Sequence, residues 1–231
     1  MKFLWRWSWR LVLLALIAWT LVQFWFVVHV WWGARHNPES TAFMRARLEV
    51  MREENPAARL EHRWVSYSRI SIHLKRAVVA AEDAKFVSHT GFDWEEMRKA
   101  YETNLREGEI VRGASTITQQ LAKNLFLSGG RTWWRKSQEA AITLMIETIM
   151  TKRRILEIYL NVVEWGEGVF GAEAAARHHY GVAAAALTPA QAARLAVMLP
   201  SPRRYSPGSD TPYLQRRAAT ILARMPGATV P

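Results

Sequence analysis

From Leu11 to Trp32 the chain reads LVLLALIAWTLVQFWFVVHVWW, without one formal charge. A helix needs about 20 apolar residues to cross a hydrocarbon core, so residues 11–32 predict a transmembrane helix. Thr20, Gln23 and His29 are tolerable within a single span. Trp5, Trp7 and Trp9 before it, and Trp31 and Trp32 at its far end, suit the two interfacial belts. Lys2, Arg6 and Arg10 precede the span and Arg35 follows it. That bias predicts a short basic cytoplasmic segment, residues 1–10, and a body on the outer side of the membrane. A cleavable signal peptide fits less well, because the apolar run is too long and no small-residue cleavage site follows.

The length of 231 residues leaves one domain beside the anchor. A net charge of +11 and a pI near 10.4 call for an anionic partner: nucleic acid, anionic lipid or a phosphate-bearing substrate. With no cysteine, disulfide and thiolate–zinc frameworks are excluded. Of the twelve Trp, five fall before residue 30 and belong to the membrane segment.

Residues 33–63 read as a stalk or linker: the stretch 35–55 is polar and mixed in charge, and Pro56 interrupts it. Trp64-Val65-Ser66-Tyr67 suits a short strand or an extended lead-in to a domain spanning 64–225, with a tail at 226–231. From Ile72 onward the apolar spacing is helical nearly everywhere. It predicts helices over 72–85, 94–106, 116–125, 134–159, 172–180, 189–198 and 213–225, separated by glycine-bearing loops at Gly108, Gly113, Gly129-Gly130, Gly166, Gly168 and Gly171. No repeat and no sustained alternating strand interrupts them. The expected fold class is mainly α.

Three polar clusters carry chemistry. Glu82 borders the apolar stripe Leu74, Ala77, Val78, Ala81, near the unfavourable end of its helix macrodipole. Partial burial there raises a carboxyl pKa and suits a general base, although periodicity alone favours a surface glutamate pairing with Lys85 or Arg76. Glu139 lies on the same face as Ile142, Met145, Ile146, Ile149 and Met150. A carboxylate on that side is either the partner of Arg135 and Lys136 or a catalytic group. Between them, Thr116-Ile117-Thr118-Gln119 matches a capping box. Gln119, Gln120, Lys123 and Asn124 exceed what a cap needs; with Arg112, Arg131, Arg135 and Lys136 they suit phosphate oxygens, unless they form only a solvated basic face.

In order along the chain, Glu82-Asp83 with Phe86, His89 and Gly91 is followed by Gly113 to Gln120 and Lys123-Asn124. Then come Arg135-Lys136 with Glu139, Lys152 to Asn161, and Trp165-Gly166-Glu167-Gly168. Together, over about Trp64 to Pro207, these elements resemble the family 51 glycosyltransferases, the peptidoglycan polymerases of the bacterial envelope. One departs: His179-Tyr180-Gly181-Val182 stands where the family commonly has lysine in last place. No serine-x-x-lysine or lysine-threonine-glycine element of a penicillin-binding domain is present.

The resemblance implies a lysozyme-like, mainly helical fold with a smaller lobe approaching the membrane, for which Phe126, Trp133 and Trp134 are candidates. It implies polymerisation of lipid II into β-1,4-linked glycan, with inversion at the anomeric carbon and release of polyprenyl pyrophosphate. The partners are then lipid II, the growing lipid-linked glycan, the inner membrane and other cell-wall synthesis proteins, with no nucleic acid. Glu82 would be the base and Glu139 the electrostatic partner. Lys123, Arg131 and Lys136 would neutralise the leaving pyrophosphate, beside Arg135. Ser115, Thr116, Gln119, Gln120 and Asn124 would hold sugar or phosphate oxygens, and Asp83, Phe86 and His89 complete the substrate-binding set. No cofactor is required, although a divalent cation can assist the pyrophosphate. A lytic, lysozyme-like glycosidase and a membrane-tethered scaffold without turnover are the alternatives.

Overall fold

The computed structural model describes residues 2–109, 113–127, 130, 132–205 and 211–231. The apolar run forms one helix, α1 (Lys2–Gly33). Its stretch Trp9–Gly33, 25 residues with mean hydropathy 2.4, is long and apolar enough to cross a membrane. After it, Thr41 caps α2 (Ala42–Glu54), its hydroxyl accepting from the Met44 amide at 3.1 Å. Although residues 33–63 read as a polar stalk, α2 lies against the body. Met44 is buried, and Arg47 reaches Glu167 at 2.6 Å and Glu164 at 3.4 Å.

The body is helical, as expected: α3 (Ile72–Glu82), α4 (Trp94–Glu107), α5 (Ile117–Phe126), α6 (Trp133–Ile149), α7 (Lys152–Val162), α8 (Ala172–Tyr180), α9 (Pro189–Met198) and α10 (Pro212–Arg224). Two differences from the periodicity have local causes. The helix expected over 72–85 stops at Glu82, because Asp83 leaves helical geometry and its carboxylate accepts the Ile117 amide at the start of α5. The helix expected over 134–159 is two. Met150 is extended and the Thr151 hydroxyl accepts from the Arg154 amide, starting α7 afresh. An N-cap of this kind is worth about 1 kcal/mol, enough to place a break where the apolar stripe itself continues.

A small sheet lies between the helices, with β1 (Glu61–His62) parallel to β3 (Val169–Phe170) and β2 (Glu164–Gly166) antiparallel to it, in the order β1–β3–β2. Trp64 and Val65 continue extended from β1, and a 3-10 turn follows at Tyr67–Arg69. The core gathers Leu74, Phe86, Ile117, Leu121, Ile142, Ile146, Ile155, Leu156, Tyr159, Trp165 and Phe170, all fully buried. Side chains of this size contribute about 1.5–3 kcal/mol each on burial. Asn161 is a polar exception within this core. Its side chain accepts from the Val65 amide at 2.9 Å and donates to the Val65 and Glu157 carbonyls. It thereby ties the extended segment to α7 with no polar group left unpaired.

Gly171 begins α8 at φ +85°, where a Cβ would stand 2.6 Å from the Asn161 carbonyl oxygen. A side chain is excluded there by both backbone conformation and contact with main chain. Gly171→Ala is expected to lose at least about 2 kcal/mol, read as an earlier urea midpoint in detergent. An unchanged midpoint would show that the α7–α8 approach is soft.

The span is keyed to the body. Phe26 and Val30 are buried, and Phe26 meets Phe126 at the end of α5 edge-on, with centroids 5.5 Å apart. Gln23 and Gln138 exchange two amide hydrogen bonds of 3.1 Å, one in each direction. Ten residues further along the span, Gly33 lies against Met150. Thus α6 runs beside the last third of α1 in the same direction, with Trp133 and Trp134 exposed at its first turn.

Candidate active site

The helix starts and stops described above converge on a cleft of about 1580 Å³. The C-terminus of α3 supplies Glu82 and Asp83, and α5 supplies Thr116, Gln119, Gln120, Lys123 and Asn124 after Ser115. The first turns of α6 supply Arg135, Lys136 and Glu139. Of the fourteen residues expected at a site, these eleven line one cavity.

Glu82 is the last residue of α3 and half-buried, and its Oε2 accepts from Gln120 Nε2 at 2.8 Å. The surface pairing open to it in the sequence does not form, since Lys85 pairs with Glu95 instead. Burial pushes the Glu82 carboxyl above its ordinary range. The Gln120 hydrogen bond and the positive charge of Arg217 oppose that rise, and Asp83 adds to it. A half-desolvated carboxyl with one donor, facing a wide cleft, is equipped to take a proton.

Glu139 is almost wholly buried and doubly paired: Oε2 accepts from Arg135 at 2.9 Å and Oε1 from Lys136. The ion pairs open to it in the sequence form, and they line the cleft. Lys136 is roughly half exposed, so its remaining ammonium protons point toward solvent and any anion there. Lys123, one turn along α5, also lines the cavity. Arg131 lies outside the described residues, as does Arg112.

The remaining residues divide into those that touch the cleft and those that build it. Thr116 and Gln119 form the reciprocal capping box expected of them. The Gln119 carbonyl oxygen accepts the Thr116 amide at 3.0 Å, and the Thr116 hydroxyl accepts the Gln119 amide while donating to the Gly91 carbonyl at 2.7 Å. Asp83 joins α3 to α5 through Ile117 and accepts from His89 Nε2 at 2.9 Å. His89 and Phe86 do not line the cavity. Phe86 is fully buried beneath Lys152, 4.6 Å from its ring centroid, and so packs the α3 end. His89 is committed to Asp83 and to the Gly91 amide.

The cleft also contains residues not singled out in the sequence. Glu164 at the start of β2 is buried in its wall with Arg203 3.9 Å away, and Arg204, Arg217, Arg224 and Tyr213 also line the cavity. The arginines sit in a loop and on an amphipathic helix whose charge pattern is that of any solvated surface; Arg217 is set apart by its charge acting on Glu82, and the others by lining the cleft. Among the described residues no group of three or more carboxylates, imidazoles or thiols gathers as a metal site.

A family model described as transglycosylase matches residues 49–226. A biosynthetic peptidoglycan transglycosylase of Methylobacillus flagellatus is 61% identical over 223 residues, covering 96% of this chain and 97% of its own. The protein of that description from Azoarcus sp. is 59% identical over 231 residues, all of both chains. Another, from Nitrosospira multiformis, is 56% identical over 226 residues, 98% of each.

Proposed function

Because the chain belongs to the transglycosylase family, we propose that it is a peptidoglycan polymerase joining lipid II units into β-1,4-linked glycan. The observation that carries this reading is one cleft holding a half-buried carboxyl at one helix end and cations anchored by a buried carboxyl at another, beside a membrane span. Glu82 takes the proton from the acceptor sugar hydroxyl as that oxygen attacks the anomeric carbon of the growing strand. Attack from the face opposite the leaving group inverts the centre, and the bond to the polyprenyl pyrophosphate breaks with its electron pair. Lys136 and Lys123 meet the charge that develops on the pyrophosphate, Arg135 braces Glu139, and Glu139 holds the cations in place. Ser115 and Asn124 remain for sugar or phosphate oxygens.

The membrane suits this chemistry, because both substrates carry polyprenyl chains. The lobe bearing α6 lies along the span, with Trp133 and Trp134 exposed where an interface would receive them. The N-terminus is then cytoplasmic, with the domain outside. A reporter fused after Pro231 is expected to be active only in extracytoplasmic form; activity of a cytoplasmic reporter would reverse the orientation.

The deciding experiment supplies purified protein in detergent or vesicles with labelled lipid II and no other enzyme. Lysozyme-sensitive polymer and free polyprenyl pyrophosphate are expected. Release of muropeptides from isolated sacculi would replace this reading by that of a lytic glycosidase, and no turnover of either substrate by that of a scaffold.

A further inference from the structure

Three helices meet through one chain of hydrogen bonds. The Tyr159 hydroxyl on α7 donates to Gln120 Oε1 on α5 at 2.7 Å, and Gln120 Nε2 donates to Glu82 Oε2 at the end of α3 at 2.8 Å. We propose that Tyr159 is a positioning residue for Glu82, acting through Gln120 by fixing which end of the amide faces the carboxylate. The inference rests on Glu82 being the base of the proposed polymerisation.

The argument is one of donors and acceptors. An ionised carboxylate only accepts, whereas a primary amide offers both an acceptor and two donors and can present either end. Turned the wrong way, Gln120 would set its carbonyl oxygen against a Glu82 oxygen and strip the Tyr159 proton of its acceptor. Tyr159 is fully buried, so an unpaired hydroxyl there carries the full desolvation penalty. Burial, and then the negative charges of Glu82 and Asp83, push the phenol well above its ordinary range, so it remains a donor at any working pH. The Gln120 amide is steadied further by the Ser115 carbonyl, 3.5 Å from Nε2.

The arrangement has two consequences for the base. It favours the charged form of Glu82, because the fixed Nε2 donor is worth most to an anion. It also assigns the two oxygens different tasks: Oε2 is held by Gln120, and Oε1 has no protein donor among the described residues and receives the proton. The other charges on Glu82 come from its neighbour Asp83, itself tied to His89 and the Ile117 amide, and from Arg217 on α10. None of these depends on the Tyr159 hydroxyl, so removing that hydroxyl isolates the relay.

The test is the pH profile of kcat/KM for lipid II with Tyr159→Phe, which keeps the ring and removes one hydroxyl. The acid limb is expected to move up by about one unit, so that kcat/KM falls about tenfold on the acid side and recovers at alkaline pH, with KM unchanged. Gln120→Met cuts the relay at its middle and is expected to move the limb at least as far, with no further shift in the double variant. A limb unmoved by Tyr159→Phe, or shifts that add, would overturn the relay. If the wild type makes no polymer, the proposed function fails instead. The relay is then read from urea unfolding, as the pH range over which wild type and Glu82→Gln diverge in stability. Tyr159→Phe in both backgrounds should displace that range upward, and no displacement overturns the relay whatever the activity.

Discussion

Glu82→Gln is expected to reduce polymerisation about 10²–10⁴-fold, the usual contribution of a positioned general base, while leaving the protein more stable than wild type at neutral pH. The two effects have one cause. Burial raises the Glu82 carboxyl above its ordinary 4.5. Between the unfolded and folded values the native state therefore binds more protons than the unfolded chain. Stability falls as pH rises through that window and stays lowered above it. A neutral glutamine avoids the penalty and still accepts from Gln120 through its own carbonyl oxygen. The stability difference should thus vanish below about pH 4 and grow as pH rises past the unfolded value. Calorimetry or urea titration across pH, alongside product analysis from lipid II, checks both arms. Activity retained within tenfold would remove Glu82 from the role of base, and a less stable variant at neutral pH would contradict its desolvation.

Glu139→Gln is expected to lose comparable activity with a stability change of opposite sign. The wild-type carboxylate is almost wholly buried and satisfies Arg135, itself mostly buried, and Lys136. Removing its charge leaves a guanidinium in a poorly solvated wall with no counter-ion, and breaking such a pair costs about 3–5 kcal/mol. The exposed ammonium of Lys136 tempers that figure, so a loss of about 2–4 kcal/mol is expected. With their anchor gone, the cations no longer meet the leaving pyrophosphate at a fixed place, and kcat should fall more than KM rises. The two glutamates are therefore separable by thermodynamics as well as by activity. A Glu139→Gln protein as stable and active as wild type would show that Arg135 and Lys136 need no such anchor.

The mainly helical body and its membrane span were legible because both are written in short-range patterns. The uncharged run at residues 11–32 and the apolar spacing within each helix depend on nothing distant. The capping box at Thr116–Gln119 is equally local, and it forms. The break at Met150–Thr151 was missed because the apolar face of α6 runs to within a residue of it, and one hydroxyl outweighed the period. Phe86 and His89 carried the family pattern without revealing its purpose: one fills the core under α3 and the other holds Asp83. Arg203, Arg204, Arg217 and Arg224 carried no pattern at all, since nothing local separates a cleft arginine from a solvated one.

The opening run of apolar residues needed only its own composition to specify a helix of membrane length. What that helix touches was decided elsewhere, by Gln138 and Phe126 a hundred residues or more away. The two glutamates divide in the same way. Their residue types and helical faces are properties of local spacing, but periodicity alone placed Glu82 on the surface and left Glu139 undecided. Packing settled both environments, because desolvation and charge pairing depend on which helix ends approach. Gln120 reaches Glu82 from α5 and is itself held by Tyr159 from α7, and the Asp83 carboxylate next to it is tied to the start of α5. A carboxyl pKa is set by what surrounds the group in space, and those neighbours come together only when the chain folds.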